Sequence, residues 1–328
     1  MLKSEIILTF APSMRIISLE ELRERQVPSV ATIGFFDGVH RGHRFLISQV
    51  VELARGAGMA SLVVTFASHP RGVFRRGGGP PLLCPLEEKV RLLGETGVDF
   101  VLVLDFDGAL SAMSAQEFMA GVLRGAGVRR LVMGYDNRFG HRGAVCEGFA
   151  EYARYGRELG IEVVSCGAYD EGEVRVSSSQ VRQFLLDGCV GRAAECLGRV
   201  YELTGRVVGG EHIGTGLGFP TANLEPLWAE QLVPAAGVYA VRVRLESACE
   251  FLGGMMNIGR RPTFGGEGLT LEVHIFRFRG DIYGRRLTVG FVGRLRSEMR
   301  FEHPGVLRAQ LQEDAARAEK ILNECIDL

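Results

Sequence analysis

Residues 30–43, Val-Ala-Thr-Ile-Gly-Phe-Phe-Asp-Gly-Val-His-Arg-Gly-His, decide the fold of the first part of the chain. The run at 30–33 is largely apolar and β-branched, which predicts a short strand buried on both faces. The glycine-rich segment 34–42 follows it directly, and an amphipathic pattern over 43–55 predicts a helix after that segment. Such a turn suits a phosphate group, because free backbone N–H groups and the positive end of the helix dipole meet there.

The same alternation continues up to residue 198. Further buried strands are predicted at 62–66, 100–104, 131–133 and 161–164, and helices at 86–95, 115–125, 146–159, 179–187 and 190–198. Strands that alternate with helices predict right-handed βαβ units. We therefore predict an α/β chain that begins with a doubly wound parallel sheet.

After Arg199 the strand-like runs have no helices between them. They lie at 201–208, 237–245, 254–257, 269–278 and 287–291. Short strands joined by Gly/Pro turns predict a small antiparallel β-barrel, and an amphipathic pattern after Pro304 predicts a C-terminal helix. We predict two domains, residues 14–198 and 199–328, and residues 1–13 fit neither.

Composition excludes several classes of protein. The chain has 328 residues and a net charge of −1, and its charges balance in both halves, so no basic arm for nucleic acid or anionic membrane is expected. No run of about 18 apolar residues is present to span a bilayer. The seven cysteines include no C-x-x-C pair, which disfavours a disulfide framework or structural zinc and favours a cytoplasmic location.

Lysine is nearly absent. Only Lys3, Lys89 and Lys320 occur, and none follows a glycine. This excludes the G-x-x-x-x-G-K-[ST] phosphate loop, so any ATP chemistry needs other phosphate-binding groups.

The first candidate site is the segment that begins at Gly34. His40 and His43 can donate hydrogen bonds to phosphate oxygens on which charge develops during a displacement. The residues expected to lie against phosphate in the same segment are Gly34, Asp37, Gly38 and Gly42. The alternative is an ordinary βα turn with incidental histidines, but the H-x-G-H pattern directly after a buried strand resembles that of the nucleotidyltransferase superfamily.

The second candidate site begins at Arg175-Val176-Ser177-Ser178-Ser179-Gln180-Val181-Arg182. Ser178 and Ser179 open a predicted helix, where hydroxyl groups cap the helix and hold phosphate oxygens. Arg182 lies one turn further on and can offer its guanidinium to the same anion. Taken alone, the segment is equally typical of a helix cap beside a solvated arginine.

The third candidate site is the segment from Gly214 to Asn223, Gly-Thr-Gly-Leu-Gly-Phe-Pro-Thr-Ala-Asn. Gly214, Gly216 and Gly218 allow the backbone to approach a phosphate chain. Thr221 and Asn223 place two neutral oxygens two positions apart, which suits a hard cation such as Mg²⁺ that phosphates already hold. The alternative is a glycine-rich hairpin loop.

From about Met14 onward the chain resembles the bifunctional prokaryotic FAD synthetases. The resemblance rests on the H-x-G-H and Pro-Thr-Ala-Asn segments and on four supporting stretches at 65–70, 134–140, 257–264 and 271–274. It implies a Rossmann-like FMN adenylyltransferase module followed by a riboflavin kinase module. The small-molecule partners that it implies are riboflavin, FMN and ATP, with FAD as product and Mg²⁺ as cofactor.

The resemblance also implies roles for individual residues. Glu272 is the general base of the kinase, aimed across the barrel at the substrate hydroxyl, and Thr221 and Asn223 hold Mg²⁺. Asp136 and Asn257 contact the flavin. The phosphate of FMN is already anionic, with a second pKa of about 6. The side chains His40, His43, Ser178, Ser179 and Arg182 therefore act by position and charge.

Several residues depart from the family pattern. Phe35 stands where Asn or Thr is frequent, and Asn137 stands where Phe is typical. Arg294 and Arg296 have a flavin phosphate within possible reach, but we expect them to form a solvated face. Two alternatives stay open at this point: another H-x-G-H nucleotidyltransferase, and a non-catalytic flavin-binding sensor.

Overall fold

The computed structural model describes residues 14–68, 79–135, 137–141, 148–167, 169, 176–209, 216, 218–246, 248, 250–263 and 266–325. The chain divides into two compact units, Met1–Val176 and Ser177–Leu328. The division falls before the two short helices that we placed in the first domain from the sequence, and these helices pack with the second unit. The predicted boundary after residue 198 stays a prediction.

The first unit contains a six-stranded sheet. Its strands are β1 (Arg15–Ile16), β2 (Ser29–Ile33), β3 (Ala60–Phe66), β4 (Phe100–Leu104), β5 (Val128–Met133) and β6 (Glu162–Ser165). All paired strands are parallel, in the order β1-β4-β3-β2-β5-β6, which confirms the predicted doubly wound sheet. The order reverses at β2, so the segment after β2 leaves the sheet at the switch point where ligands bind in such folds.

Helices flank this sheet. They are α1 (Leu19–Arg25), α2 (Arg41–Ala57), α3 (Leu86–Gly94), α4 (Gly108–Ala112), α5 (Ala115–Phe118) and α6 (Phe149–Leu159), and α5 continues as a π-helical segment, Met119–Arg124. The helix predicted over 43–55 begins two residues earlier, because His40 caps its N-terminus. The elements β1, α1 and α4 were not predicted from the sequence, because they are too short to show a clear hydrophobic period.

The second unit contains a closed antiparallel barrel, as predicted. Its strands are β7 (Tyr201–Val208), β8 (Ala222–Pro226), β9 (Gly237–Leu245), β10 (Leu252–Thr263), β11 (Gly266–Ile275) and β12 (Arg286–Arg296), in the closed order β10-β11-β8-β7-β12-β9. Its helices are α7 (Ser178–Leu186), α8 (Val190–Leu197) and α9 (Pro304–Glu324). The strand β8 was not predicted, and it places Asn223 of the third candidate site on a sheet.

The two faces of β11 have different environments. Leu271, Val273 and Ile275 are buried, as the period-two pattern predicts. Glu272 lies opposite Asn257 on β10, and Asn257 lies opposite Val238 on β9. Val238 packs in the cluster that includes residues of α9. Glu272 therefore faces the α9 side of the barrel wall, rather than across the barrel interior as we expected.

A buried ion pair fastens α9 to the barrel. The side chain of Arg296 on β12 is 14% exposed, that of Asp314 on α9 is fully buried, and the closest nitrogen–oxygen distance is 2.8 Å. Gln310 donates a further hydrogen bond to Asp314 at 3.1 Å. The expectation that Arg296 forms a solvated face is therefore wrong.

Arg294 is also engaged with the protein. Its guanidinium donates to the carbonyl of Ala236 at 2.7 Å, and weakly to that of Asp187 at 3.4 Å. The sequence does not show that Arg294 and Arg296 have partners within the protein, because Asp187, Ala236 and Asp314 are distant from them along the chain. No helix in the described part of the chain is long and apolar enough to cross a membrane.

We predict that Asp314→Ala destabilises the barrel unit by about 3–5 kcal/mol, since it leaves the charge of Arg296 buried without its carboxylate. Thermal unfolding followed by the fluorescence of Trp228, the only tryptophan, reports on this unit. Glu313→Ala, an exposed neighbour on α9, is the control and should leave the midpoint nearly unchanged. Equal effects of the two substitutions would contradict the assignment.

Candidate functional site

The turn after β2 has an unusual backbone. The N–H of Gly34 continues the β2–β3 pairing by donating to the carbonyl of Val64 at 3.0 Å. Phe36, Gly38 and Val39 then have φ angles of 53°, 77° and 39°. Left-handed angles are rare for a β-branched or aromatic residue and persist where the surroundings fix them. Both Phe36 and Val39 are buried, which supplies that constraint.

A buried carboxylate anchors this turn. Both oxygens of Asp37 accept hydrogen bonds from the backbone N–H of Leu83, at 3.0 and 3.1 Å, and Oδ1 also accepts one from Cys84 at 3.3 Å. The N–H of Gly38 donates to the sulfur of Cys84 at 3.3 Å. Asp37 and Gly38 thus hold the turn against segment 83–84, and their predicted contacts with phosphate stay predictions.

The two histidines lie together at the N-terminus of α2. His40 is the N-cap, and its Nδ1 accepts the backbone N–H of His43 at 3.3 Å. This bond places the proton of a neutral His40 on Nε2. The two imidazole rings stack with centroids 3.5 Å apart. A Cβ on Gly42 would lie 3.3 Å from the His40 ring, so glycine gives this ring its space.

His43 is held in its uncharged form. Burial lowers its pKa well below 6.5, and the charges of His40 and Lys89 lower it further. Its Nδ1 is buried, and no group among the described residues hydrogen-bonds to it. A bound anion beside the ring would raise this pKa and supply a partner. The histidine pair therefore suits an anionic ligand at the positive end of α2, and the binding of phosphate there stays a prediction.

The carbonyl ends of β2 and β3 are joined by side chains. The carbonyl of Phe35 accepts hydrogen bonds from Thr65 Oγ1 at 3.1 Å and from Lys89 Nζ at 3.2 Å. Lys89 also donates to the carbonyl of Phe66 at 2.6 Å, and its ammonium lies 4.0 Å from the centre of the Phe35 ring. Asn137 donates to the carbonyl of Ile33. Phe35 and Asn137, the two residues that depart from the family pattern, therefore both have contacts within the first unit.

Lys89 is 2% exposed, and its charge is costly to bury. Burial lowers its pKa from 10.5 to about 8, although Cys84 and Asp37 act in the opposite direction. From the sequence we assigned this lysine no role. The sequence predicted the helix that carries Lys89, but not that this helix places the side chain beneath the turn.

The second candidate site lies in the second unit. Ser177 caps α7 by accepting the N–H of Gln180 at 3.3 Å, and Ser178 and Ser179 form its first turn, followed by Arg182. The helix N-terminus was predicted correctly. A shared ligand between these residues and the histidine pair stays a prediction.

A row of polar side chains crosses three strands of the barrel. Glu272 on β11 lies directly opposite Asn223 on β8 and Asn257 on β10. Directly opposed residues point to the same face of a sheet. Thr221, two positions before Asn223, places its hydroxyl 3.5 Å from Glu272 Oε2. The structure thus brings together four predicted residues of the kinase module.

Two cavities meet at Thr221. One has a volume of about 330 Å³ and is lined by Thr221, Asn257, Glu272 and apolar side chains of the barrel and α9. The other, of about 440 Å³, is lined by Thr221 together with residues 278–283. Both volumes are in the range of small-molecule sites, about 300–1,000 Å³. Thr221 is the lining residue that the two cavities share.

His274 positions this segment and was not predicted to do so. Its Nδ1 lies 2.8 Å from the carbonyl of Pro220, the residue before Thr221, and its ring lies edge-on to Phe219. A Cβ added at Gly216 or Gly218 would meet no atom of the described residues within 4 Å, and Gly218 has a φ of 86°. Asp136 and Gly214, the other predicted ligand contacts, lie outside the described residues.

The donor set around Glu272 fits magnesium. Thr221 offers a hydroxyl oxygen and Asn223 a carboxamide oxygen, which are donors that Mg²⁺ prefers, and the carboxylate of Glu272 lies beside them. No cluster of three or more His, Cys, Asp or Glu side chains suited to a metal occurs among the described residues. A small set of oxygen ligands is typical of Mg²⁺ bound jointly with substrate phosphates.

A parallel sheet with a histidine pair at its switch point, followed by a barrel with a carboxylate in a cavity that shares Thr221 with a second cavity, defines a two-module transferase. Family models agree: FAD synthetase matches residues 22–180 and riboflavin kinase matches residues 197–322. The chain belongs to the family of bifunctional riboflavin kinase/FMN adenylyltransferases. Matching both models favours this family over the alternative of another nucleotidyltransferase.

Known proteins support the assignment over most of the chain. The bifunctional riboflavin kinase/FMN adenylyltransferase of Escherichia coli K12 is 41% identical and aligns over 89% of this chain and 92% of its own. That of Bacillus subtilis is 32% identical, over 90% and 93%. A crystal structure described as a macrolide-efflux protein from Streptococcus pneumoniae superposes with a TM-score of 0.82 and 30% identity, covering 93% and 98% of the two chains.

Lys89 gives a stability prediction. Its folded pKa of about 8 is below its unfolded value of 10.5, so between these values the unfolded state binds more protons and stability rises with pH. From pH 7 to pH 10.5 the wild-type first unit should gain about 3 kcal/mol that Lys89→Met does not gain.

Urea unfolding at the two pH values, followed by circular dichroism, measures this difference. Trp228 fluorescence reports on the second unit, where wild type and variant should coincide. A parallel rise of wild type and variant would show that Lys89 does not titrate in this range.

Proposed function

We infer that this chain makes FAD from riboflavin in two ATP-dependent steps. The second unit phosphorylates riboflavin to FMN, and the first unit transfers the adenylyl group of a second ATP to FMN and releases pyrophosphate. The inference rests on the two family models, each of which covers its own constellation of polar residues. The relatives named above carry both activities in their names.

We assign the kinase step to the row of polar side chains on the barrel, Thr221, Asn223, Asn257 and Glu272. We assign the flavin ring to the 330 Å³ cavity, whose apolar walls and Asn257 suit a planar aromatic group with polar edges. We assign the nucleotide to the 440 Å³ cavity. The ribityl hydroxyl then lies near Thr221 and Glu272, where the two cavities meet.

Glu272 acts as the general base. The hydroxyl oxygen forms a bond to the γ-phosphorus of ATP, the bond to the bridging oxygen breaks, and ADP leaves. The hydroxyl proton passes to the carboxylate of Glu272, since an alcohol is a poor nucleophile while protonated. His274 holds the Pro220 carbonyl and so fixes the position of Thr221 in this step.

Magnesium is the proposed cofactor, held by Thr221 and Asn223. When bound, it neutralises charge on the phosphates that are being transferred. The residues themselves orient the ion and the hydroxyl. The barrel wall excludes water from the apolar side of the flavin.

The adenylyl step needs no strong base. An oxygen of the FMN phosphate attacks the α-phosphorus of ATP, the α–β bridging bond breaks, and pyrophosphate leaves. His40 and His43 stabilise the charge that develops on the phosphates, at the positive end of α2. Ser178, Ser179 and Arg182 are proposed to bind the same phosphates. A cytoplasmic location and the absence of nucleic-acid and membrane partners stay predictions.

Separate loss of the two reactions tests this assignment. Glu272→Gln should reduce FMN formation at least about 100-fold and leave FAD formation from supplied FMN within about twofold. His43→Ala should have the opposite pattern, because His43 belongs to the first unit and Glu272 to the second. Chromatography that resolves riboflavin, FMN and FAD measures both reactions.

Matched controls keep the test specific. Glu225→Gln changes an exposed carboxylate on β8, and His141→Ala removes an exposed histidine, so neither should alter either rate. If wild-type protein formed neither FMN nor FAD, the proposed function would be wrong. If each variant lost both reactions equally, the division into two sites would be wrong.

The metal assignment has its own test. Chelation by EDTA should stop FMN formation, and added Mg²⁺ should restore it. Thr221→Val removes one oxygen ligand and should raise the Mg²⁺ concentration needed for half-maximal rate about tenfold or more, whereas Thr221→Ser keeps the hydroxyl and should stay near wild type. An unchanged Mg²⁺ dependence in Thr221→Val would exclude this residue as a ligand.

A further inference from the structure

Lys89 is a buried cation, and it has no role in either of the two reactions as proposed above. Its ammonium donates to the carbonyls of Phe35 and Phe66 and lies against the Phe35 ring, so its three N–H groups have partners. The carbonyl of Phe35 lies in the turn after β2, and that of Phe66 lies at the end of β3. Lys89 therefore connects the histidine-bearing turn to the neighbouring strand of the sheet.

The hydrogen bonds alone do not require a charge. Thr65 already donates to the carbonyl of Phe35, and a neutral amide could donate to that of Phe66. An ammonium in this position is destabilising to bury, as its lowered pKa shows. The hydrogen bonds alone therefore do not explain why a charged group stands at this position.

The charge of Lys89 affects His43, a residue of the candidate site. The titratable neighbours of the imidazole are His40, stacked on it, and Lys89, and both oppose a positive charge on the ring. Around Lys89 the titratable groups are Cys84 and Asp37. Burial and the charge of His40 lower the pKa of His43 most, and Lys89 lowers it further.

We propose that Lys89 is a positioning residue for adenylyl transfer, which clamps the Gly34–Phe35 turn to β3 through the carbonyls of Phe35 and Phe66. The proposal rests on the adenylyl transfer inferred above. The charge of Lys89 also adds to the burial that keeps His43 neutral in the free enzyme, and the neutral ring is the active form, whose single N–H donates to a phosphate oxygen.

Two variants separate the effect of the hydrogen bonds of Lys89 from the effect of its positive charge. Lys89→Met removes the donors and the charge at similar length, whereas Lys89→Gln keeps a donor and removes only the charge. Lys320→Met is the matched control, because Lys320 is exposed on α9. For each protein, kcat and KM for ATP are measured for FMN adenylylation across pH 5–9, and FMN formation is measured as a control on the other unit.

The expected results differ between the variants. Lys89→Met should lower kcat/KM for ATP in adenylylation about tenfold or more, with FMN formation within about twofold of wild type. In both Lys89 variants the acid limb of kcat/KM should move to higher pH by about 0.5–1 unit, because His43 loses a positive neighbour in the free enzyme. Lys320→Met should match wild type in every measurement.

Two results would overturn the proposal. The first is wild-type adenylylation kinetics in Lys89→Met. The second is an unchanged acid limb in Lys89→Gln, which would leave Lys89 as a structural residue only. If circular dichroism showed that Lys89→Met lacks a folded first unit, Lys89→Gln would decide. Absence of FAD formation in wild-type protein would instead refute the proposed function, so the two failures are distinguishable.

Discussion

A carbonyl group at the end of a buried parallel strand must find a donor, and the first unit depends on how this requirement is met. The carbonyls of Ile33, Phe35 and Phe66 lie at or just after the ends of β2 and β3. Asn137, Thr65 and Lys89 supply the donors. Since a buried carbonyl without a partner is costly, these bonds hold the turn in left-handed angles that it would not adopt alone.

The barrel meets a comparable requirement with an ion pair. Arg296 ends β12 in the same cross-strand row as Val238, Asn257 and Glu272, and it lines the cavity beside Glu272. Its pairing with Asp314 fixes α9 over this face, so the apolar residues of the helix can close one wall of the cavity. In each unit, therefore, a buried cation with fixed partners positions a ligand-binding surface that the apolar core alone does not define.

The sequence predicted the features that depend on neighbours along the chain. The order of strands and helices, the helix after the H-x-G-H segment and the alternation around Glu272 are local patterns, and the structure confirms them. The side of the barrel that Glu272 faces was predicted wrongly, because a period of two identifies two faces but not which one a distant helix covers. Asp314 and Lys89 were missed for the same reason, since their partners lie 18 to 54 residues away.

Because lysine is scarce in this chain, its occurrence at position 89 is informative. The chain uses arginine for 35 of its 38 cationic side chains, yet lysine stands at 89. Arginine keeps its charge in any protein environment and presents a planar fork, whereas an ammonium is a compact charge whose pKa falls readily on burial. Two converging carbonyls and one aromatic ring suit the compact group. Burial lowers the pKa of this ammonium to about 8, so Lys89 still carries its charge at neutral pH while it binds both carbonyls.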